Sequence, residues 1–220
     1  MAATALILET SFAPFQVLLA QEDRILFHSN EHEWQDNRRN IAQMLTKGLN
    51  VVGQNIEDIS QVFVNTGPGS TNAIRSGVSF ANGLAFSLNI PVIPYTSFEL
   101  MGYEVQTALQ LPVLCTAKAI NGNVYAAWYE GQQVHARQYG RLKEVVEAIV
   151  PNTDQPFAVA GIRRDEVLAL FSSNRIEDSK TERIDAQYLV NISDRILTRQ
   201  VLPPAFVSPL NEQSKLFQTA

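Results

Sequence analysis

Residues 61–70 have the sequence QVFVNTGPGS, and they lead directly into the proline-free segment Thr71–Leu88. The apolar, β-branched run at positions 61–65 is typical of a strand, and the glycines and proline that follow it are typical of a tight turn. Ser70 or Thr71 can cap the free amides at the start of a helix. This stretch therefore predicts a strand, a glycine turn and a long helix, in that order.

The sequence before this stretch contains three short apolar runs, Thr4–Leu8, Phe15–Ala20 and Arg24–His28, separated by polar turns. They predict an antiparallel meander of three strands. The segment Asp36–Leu49 carries apolar residues at helical spacing and predicts an amphipathic helix. After the long helix, Val92–Tyr95 predicts a further strand.

The second half of the chain repeats this order of elements. An Asn-Gly turn at positions 121 and 122 joins two of its strands as a hairpin. The predicted elements are the strands Leu111–Ala117, Val124–Tyr129, Gln133–Ala136 and Phe157–Ala160, and the helices Leu142–Val150 and Ala186–Leu197. The order fits α/β lobes with mixed sheets covered by helices, and the repetition indicates a structural duplication.

The composition predicts a globular protein and argues against a disordered or membrane-spanning one. With 45% hydrophobic and 18% charged residues, the chain can bury a large core and is not a disordered polyelectrolyte. No apolar run approaches the roughly 20 residues that span a bilayer, and the first residues lack the basic region of a signal peptide. We therefore expect a soluble, cytoplasmic protein. Its single cysteine, Cys115, has neither a disulfide partner nor a metal-ligand spacing around it.

The charge distribution argues against tight RNA binding by this chain alone, since its formal net charge is −5. The densest basic spots are Arg38 with Arg39 and Arg163 with Arg164. Phosphate affinity needs several neutralised charges that act together. We interpret both pairs as solvated surface positions.

Two polar turns are candidates for an anion site. A glycine turn at a helix N-terminus can bind an anion through free amides and the helix dipole, although neither the Walker pattern nor the dinucleotide fingerprint is present. An acidic residue with two hydroxyls after the first strand can hold magnesium or touch a phosphate. Ordinary turn chemistry explains both segments as well. The candidate residues are Glu9, Thr10, Ser11, Gly67, Pro68, Gly69 and Ser70.

The histidines do not indicate a metal site. His28, His32 and Glu33 are close in sequence, but they bridge a predicted strand end and a loop, and zinc ligands are expected at helical spacing. No nucleophile elbow, catalytic cysteine or pair of carboxylates with shifted roles is recognisable. The sequence predicts no catalytic residue and no metal ligand.

The long predicted helix carries Ala73, Gly77, Ala81 and Ala85 at four-residue steps. Small residues along one stripe permit close approach, either of the helix to its own sheet or of a second subunit. With the apolar edge of the first helix, the stripe forms a candidate subunit interface. The candidate interface residues are Ile41, Met44, Leu45, Ala73, Gly77, Ala81 and Leu84.

The phrase NTGPGS at 65–70, followed by Arg75-Ser76-Gly77, resembles the GPGSFTGLRIG segment of the TsaB/YeaZ family. Glu9-Thr10-Ser11 is similar to that family's Asp-Thr-Ser after the first strand. Ser97-Phe98-Glu99 is similar to its Ser-Leu-Glu, and residues 122–125 (GNVY) are similar to its Gly-Glu-Val-Tyr. The resemblance spans most of the chain and is most specific between Asn65 and Leu100.

This resemblance implies an actin-like, Hsp70-like duplicated fold of the ASKHA type, with a first lobe at 1–100 and a reduced second lobe at 101–220. We expect the C-terminal helix to pack back on the first lobe. It also implies a non-catalytic subunit that pairs with a TsaD-type catalytic subunit through the first-lobe helices. A TsaE-type ATPase joins the complex, ATP and magnesium act only at the complex level, and tRNA is bound indirectly. A homodimer through the same helices is expected when the partner is missing.

The sequence departs from the family pattern at several turns. Thr71-Asn72 stands where the family has Phe-Thr, Lys118 stands where the second-lobe turn has Asp, and residues 204–208 replace Pro-x-Tyr-x-Arg. These losses argue against nucleotide chemistry in this chain. A small ATP-dependent kinase or ATPase of the same superfold stays as the alternative, and a zinc glycoprotease is the weakest hypothesis.

Overall fold

A computed structural model describes residues 3–12, 14–29, 40–152, 154–172, 174–211, 214 and 217. The chain forms two compact units, each built on one five-stranded sheet. The first unit comprises Met1–Tyr95 with Ala186–Pro209, and the second comprises Thr96–Asp185 with Leu210–Ala220. The expected lobe boundary at residue 100 falls inside a helix of the second unit.

The sheet of the first unit has the strand order β3-β2-β1-β4-β5. Strands β1 to β3 form the antiparallel meander, whereas β4 and β5 run parallel to β1. The strands are β1 (Thr4–Glu9), β2 (Gln16–Gln21), β3 (Arg24–His28), β4 (Ile59–Asn65) and β5 (Val92–Tyr95). Parallel neighbours need a crossover connection, and two helices supply the crossovers here.

These helices are α1 (Ile41–Val52) and α2 (Thr71–Leu88), and their apolar faces pack on one side of the sheet. The side chain of Asn40 caps α1 by accepting from the amide of Gln43, and Gly53 ends it in the left-handed conformation. The predicted start of α1 at Asp36 lies outside the described residues. Asn89, also left-handed, ends α2 at the predicted position.

The second unit repeats the first with shorter helices. Its sheet has the order β8-β7-β6-β9-β10, which matches β3-β2-β1-β4-β5 in both sequence order and strand direction. The crossover helices have 8 and 5 residues, against 12 and 18 in the first unit. The elements are α3 (Ser97–Leu109), β6 (Val113–Lys118), β7 (Val124–Glu130), β8 (Gln133–Gly140), α4 (Leu142–Ile149), β9 (Phe157–Gly161), α5 (Arg164–Leu168) and β10 (Ile176–Asp178). The predicted duplicated α/β fold of two lobes, the second reduced, is confirmed.

The short elements α5 and β10 were not predicted from the sequence. Both are short, and the charged residues around them leave no clear apolar period. The predicted C-terminal helix is split into a one-turn 3-10 helix at Ala186–Tyr188, helix α6 (Leu189–Ile196) and a second 3-10 turn at Leu197–Arg199. Among the described residues, no helix combines the length and apolar character that crossing a bilayer requires.

The structure corrects the candidate interface. Its members Ile41, Met44, Leu45 and Ala81 are almost fully buried in the core between the two helices and their own sheet, and Gly77 is buried on the same face of α2. Ala73 and Leu84 are half-buried and pack against the same core. The small-residue stripe thus brings α2 close to its own sheet, and a partner can reach only the opposite face of α1 and α2.

Substitutions at two glycines of α2 can distinguish its core-facing side from its exposed side. A Cβ at Gly77 would overlap the buried side chain of Thr10, whereas a Cβ at Gly83 would meet no atom within 4 Å. We expect Gly77→Ala to lower the free energy of unfolding by about 1–3 kcal/mol through overpacking. Gly83→Ala should raise it by up to about 1 kcal/mol through helix propensity. Urea unfolding followed by circular dichroism measures both changes, and equal effects would contradict the assigned orientation of α2.

Candidate functional site

The ends of three adjacent parallel strands bring Glu9, Asn65 and Tyr95 together. Glu9 ends β1, Asn65 ends β4 and Tyr95 ends β5, and these strands are direct neighbours in the sheet. In an open α/β sheet, the carboxyl ends of parallel strands form the edge where functional groups collect. All three side chains are almost completely buried. We call these residues with Ser11 the Glu9 cluster.

Each oxygen of the Glu9 carboxyl group lies beside two internal donors. Oε1 accepts from the Ser11 amide at 2.7 Å and from the Ser11 hydroxyl. Oε2 accepts from Asn65 Nδ2 at 2.5 Å and lies 3.3 Å from the Tyr95 hydroxyl, which donates to the Leu8 carbonyl at 3.0 Å. The carboxyl group is therefore satisfied inside the protein, as a buried polar group must be.

Burial is the largest influence on the pKa values of Glu9 and Tyr95. It raises the pKa of Glu9 above the ordinary value for a glutamate, and the hydrogen bonds from Ser11, Asn65 and Tyr95 oppose that shift. Burial, followed by the charge of Glu9, also raises the pKa of Tyr95 well above its ordinary value. The phenol therefore stays protonated and remains available as a donor.

The glycine turn closes directly over this cluster. Asn65 Oδ1 accepts from the Gly67 amide at 2.7 Å, and the Ser11 carbonyl accepts from the Ser70 amide at 2.8 Å. A Cβ at Gly69 would lie 2.6 Å from the Ser11 carbonyl oxygen, so only glycine permits this close approach. The two polar turns that the sequence singled out, 9–11 and 67–70, are thus one connected structure.

This arrangement favours turn chemistry over anion binding. Internal acceptors already occupy the amides of Gly67 and Ser70, and Ser70 makes no side-chain cap to α2. The Thr10 hydroxyl is buried without a hydrogen-bond partner, and it packs against α2 at Gly77.

The other sequence candidates do not assemble into a site. His32 and Glu33 lie outside the described residues, and His28 is half-buried on β3. Within the described ranges, no group of three or more His, Cys, Asp or Glu residues is placed to hold a metal ion. Cys115 is fully buried, and burial raises the pKa of its thiol. It is therefore an inert core residue.

The basic pair that the structure describes is engaged with acidic residues. Arg163 pairs with Glu166 at 2.5 Å, and Arg164 pairs with Asp178 at 2.8 Å and with Glu182 at 3.3 Å. Both guanidinium groups therefore serve local ion pairs. Arg163 is exposed, as expected for a solvated surface position, whereas the side chain of Arg164 is only 14% exposed. Arg38 and Arg39 lie outside the described residues.

Sequence reasoning missed two members of the Glu9 cluster, Asn65 and Tyr95. In the sequence, Asn65 stands within the NTGPGS phrase and Tyr95 at the end of a predicted strand. A signal was present, because each has a polar group and stands at the carboxyl end of a predicted strand. Their convergence on one carboxyl group depends on strand order, which the sequence did not specify.

A second unusual carboxyl group, Glu104, lies on α3 in the second unit. Partial burial, followed by the charge of Asp185, raises its pKa to about 7, although the backbone amide of Asp185 donates to it. Its Oε2 atom is buried without a hydrogen-bond partner. This carboxyl group therefore changes its charge near neutral pH.

The sequence and the fold of this chain are both similar to those of known proteins. The family model described as "TsaD: tRNA N6-adenosine threonylcarbamoyltransferase" matches residues 33–170. A transferase of that name from Fusobacterium nucleatum is 39% identical over 56 residues, which cover 26% of this chain and 16% of that protein. The tRNA threonylcarbamoyladenosine biosynthesis protein TsaB of Bacillus subtilis is 27% identical over 145 residues, or 65% of this chain and 59% of that protein.

The match thus spans less than two thirds of the length of each of these two relatives. Among solved structures, YeaZ from Pseudomonas aeruginosa aligns with a TM-score of 0.76 at 19% identity. That alignment covers 95% of this chain and 99% of the YeaZ chain, so the two proteins share the fold over almost their full length.

The Glu9 cluster predicts a large effect of Asn65→Ala. This change removes a donor to Glu9 and the acceptor of the Gly67 amide. We expect the free energy of unfolding to fall by about 2–4 kcal/mol, because two buried groups lose their partners. The exposed Asn72→Ala on α2 is the control and should change it by less than about 0.5 kcal/mol. Urea denaturation of both variants tests this, and a neutral Asn65→Ala would show that the cluster does not stabilise the fold.

Glu104 predicts a pH-dependent stability. Its folded pKa of about 7 exceeds its ordinary value of 4.5, so the folded state binds the proton more tightly. Stability from this group is full below pH 4.5 and is lost as the pH rises through 7. Glu104→Gln should match the wild type near pH 4.5 and exceed it at pH 8 by about 1 kcal/mol, a value reduced for partial exposure. Thermal unfolding at both pH values measures this, and a constant difference would contradict it.

Proposed function

The chain belongs to the family described as TsaD, tRNA N6-adenosine threonylcarbamoyltransferase. From this, and from its similarity to TsaB proteins, we propose its role. It supports the synthesis of N6-threonylcarbamoyladenosine in tRNA as a non-catalytic subunit. Its direct partner is a TsaD-type catalytic subunit, and the two pair through their first-lobe helices.

The observation that carries this proposal is the exposed face of α2. Its core-facing side packs on the sheet, whereas the opposite side presents a row of small residues, Ser76, Ser79 and Gly83. Because these positions are three or four residues apart, they lie in one line along the helix. A row of small side chains allows the backbone of a second helix to approach closely.

Helices α1 and α2 contain few charged residues for helices with a solvent-exposed face. In α1 and α2 the only charged residues are Lys47 and Arg75, although 18% of the chain is charged. Interface centres are depleted in charged residues, and solvated helix faces are rich in them. The composition of both helices therefore supports a partner on their outer face.

Exposed apolar side chains lie at the ends of the same helices. Val51 of α1 is 62% exposed, and Phe86 of α2 is 59% exposed. The ring of Phe86 lies 6.3 Å from that of Phe206 in a tilted arrangement, and Phe206 is itself 59% exposed. Aromatic groups of this kind are common anchors of protein interfaces. A homodimer through this face is the expected form when the partner is missing.

The remaining parts of the proposal concern the complex as a whole. A TsaE-type ATPase joins it, ATP and magnesium act at that level, and tRNA contacts the complex mainly through other subunits. The net charge of −5 and the ion pairs of Arg163 and Arg164 support indirect tRNA contact. We place the protein in the cytoplasm, where tRNA is modified.

The alternative of a small ATP-dependent enzyme depended on the turn at 9–11 as a magnesium site and the turn at 67–70 as a phosphate site. The structure supports neither site. The Glu9 carboxyl group is almost completely buried and bonded to internal donors, so it is not free to hold magnesium. The amides of Gly67 and Ser70 are bonded within the protein and are not free to hold phosphate. No observation in the described part of the chain favours that alternative over the partner role.

Co-expression with the TsaD-type protein of the same organism tests the proposal. Size-exclusion chromatography with light scattering should show a one-to-one complex. Gly83→Glu should leave the fold intact, since nothing lies within 4 Å of a Cβ there. It should weaken pairing by at least about a hundredfold, because an unpaired carboxylate buried in an interface costs about 3 kcal/mol or more.

The control is Ala148→Glu, which adds the same charge at an exposed position of α4 in the second unit. It should pair like the wild type. Separate peaks for the wild type would contradict the partner role. Unchanged pairing of Gly83→Glu would place the interface elsewhere on the chain.

A further inference from the structure

A cavity of about 420 Å³ opens on the side of the first sheet that faces away from α1 and α2. Successive residues of β1 point to opposite faces, so Leu6 and Leu8 pack under the helices whereas Ala5 and Ile7 line the cavity. Every residue that lines it belongs to the first unit. Its volume is within the range of about 300–1,000 Å³ that is usual for small-molecule sites.

The floor of the cavity is apolar, and small side chains make it deep. Ala5 of β1 lies directly opposite Ala20 of β2, and Ile7 lies opposite Phe63 of β4. All four residues line the cavity and are buried in the sheet. The paired alanines leave room above the sheet, and the phenyl ring of Phe63 adds a flat apolar surface beside that space. An apolar body of a ligand fits this floor.

Helix α6 forms one wall without filling the space. Leu189 of α6 is fully buried against the unit, and Ser193 and Leu197 also line the cavity. The turn before α6 is fixed to β2 by a hydrogen bond from the Ala186 amide to Gln16 Oε1 at 3.0 Å. The wall is therefore anchored on the sheet, and the cavity is preformed.

The charges at the cavity all have one sign. Glu22 and Asp23 lie in the turn between β2 and β3, Asp194 lies on α6, and all three are exposed residues that line the cavity. No lysine or arginine is among the lining residues. A cleft that carries one sign of charge beside low-dielectric walls concentrates ions of the opposite sign. This charge therefore favours a cation over an anion such as a nucleotide phosphate.

We propose that this cavity binds a small organic cation, with its aromatic or branched apolar body on the alanine floor and its ammonium group at the three carboxylates. A bare metal ion does not explain the apolar floor, and no metal-ligand group is found among the described residues. This site is separate from the outer face of α1 and α2, so it does not rest on the proposed function.

The test compares three probes of similar shape and different charge by NMR titration of ¹⁵N-labelled protein. Phenethylammonium should shift the amides of β1, β2 and α6 in a saturable way. Its neutral analogue 2-phenylethanol should bind more weakly, and 3-phenylpropionate should not bind. Affinity for the cation should fall as salt rises from 20 to 500 mM, because the carboxylates are exposed to solvent. The distance over which such charges act is about 10 Å at 0.1 M salt and shorter above it.

Two variants test whether the carboxylates of Asp194 and Asp23 attract the ammonium group. Asp194→Asn and Asp23→Asn should each weaken phenethylammonium about threefold to tenfold, the effect of removing one exposed carboxylate a few ångströms away. The control Glu144→Gln removes the same charge from an exposed position of α4 in the second unit and should change nothing. The proposal is overturned if the cavity amides do not respond, if all three probes bind alike, or if the control weakens binding as much.

Discussion

The buried carboxyl group of Glu9 is the constraint on which the first unit depends. A carboxyl group away from water must be matched by donors, and the donors come from β4, β5 and the turn after β1. Meeting that requirement fixes the ends of three parallel strands and the glycine turn that starts α2. The same contacts orient α2, so that one of its faces joins the core and the other meets solvent.

The duplicated second unit has no buried carboxyl group at the corresponding position, the end of its central strand. Its central strand β6 ends at Lys118, which is exposed, and the buried polar group is the neutral Thr116. The Thr116 hydroxyl bonds to the carbonyl groups of Ala160 and Ile162, and Gly161 lets the two strands approach. The two units thus share a topology and differ in the polar group that their central strands bury.

The long elements of the fold could be predicted because their patterns are local. The β-branched run at 61–65, the glycine turn and the helix Thr71–Leu88 were all found at their predicted places. The faces of α2 could not be assigned, because Gly77 and Gly83 look alike in sequence and differ only in what the sheet places beside them. Asn65 and Tyr95 reach Glu9 only through strand order, and α5 and β10 were too short to show a period.

The proposed role of the chain is to support a catalytic partner. The most direct measurement is the amount of threonylcarbamoyladenosine formed in tRNA by the TsaD-type subunit of the same organism, with a threonylcarbamoyl donor supplied. Nucleoside mass spectrometry quantifies it with and without this chain. If the chain is a supporting subunit, modification requires both proteins and the chain alone forms none. Equal modification without the chain, or modification by the chain alone, would contradict it.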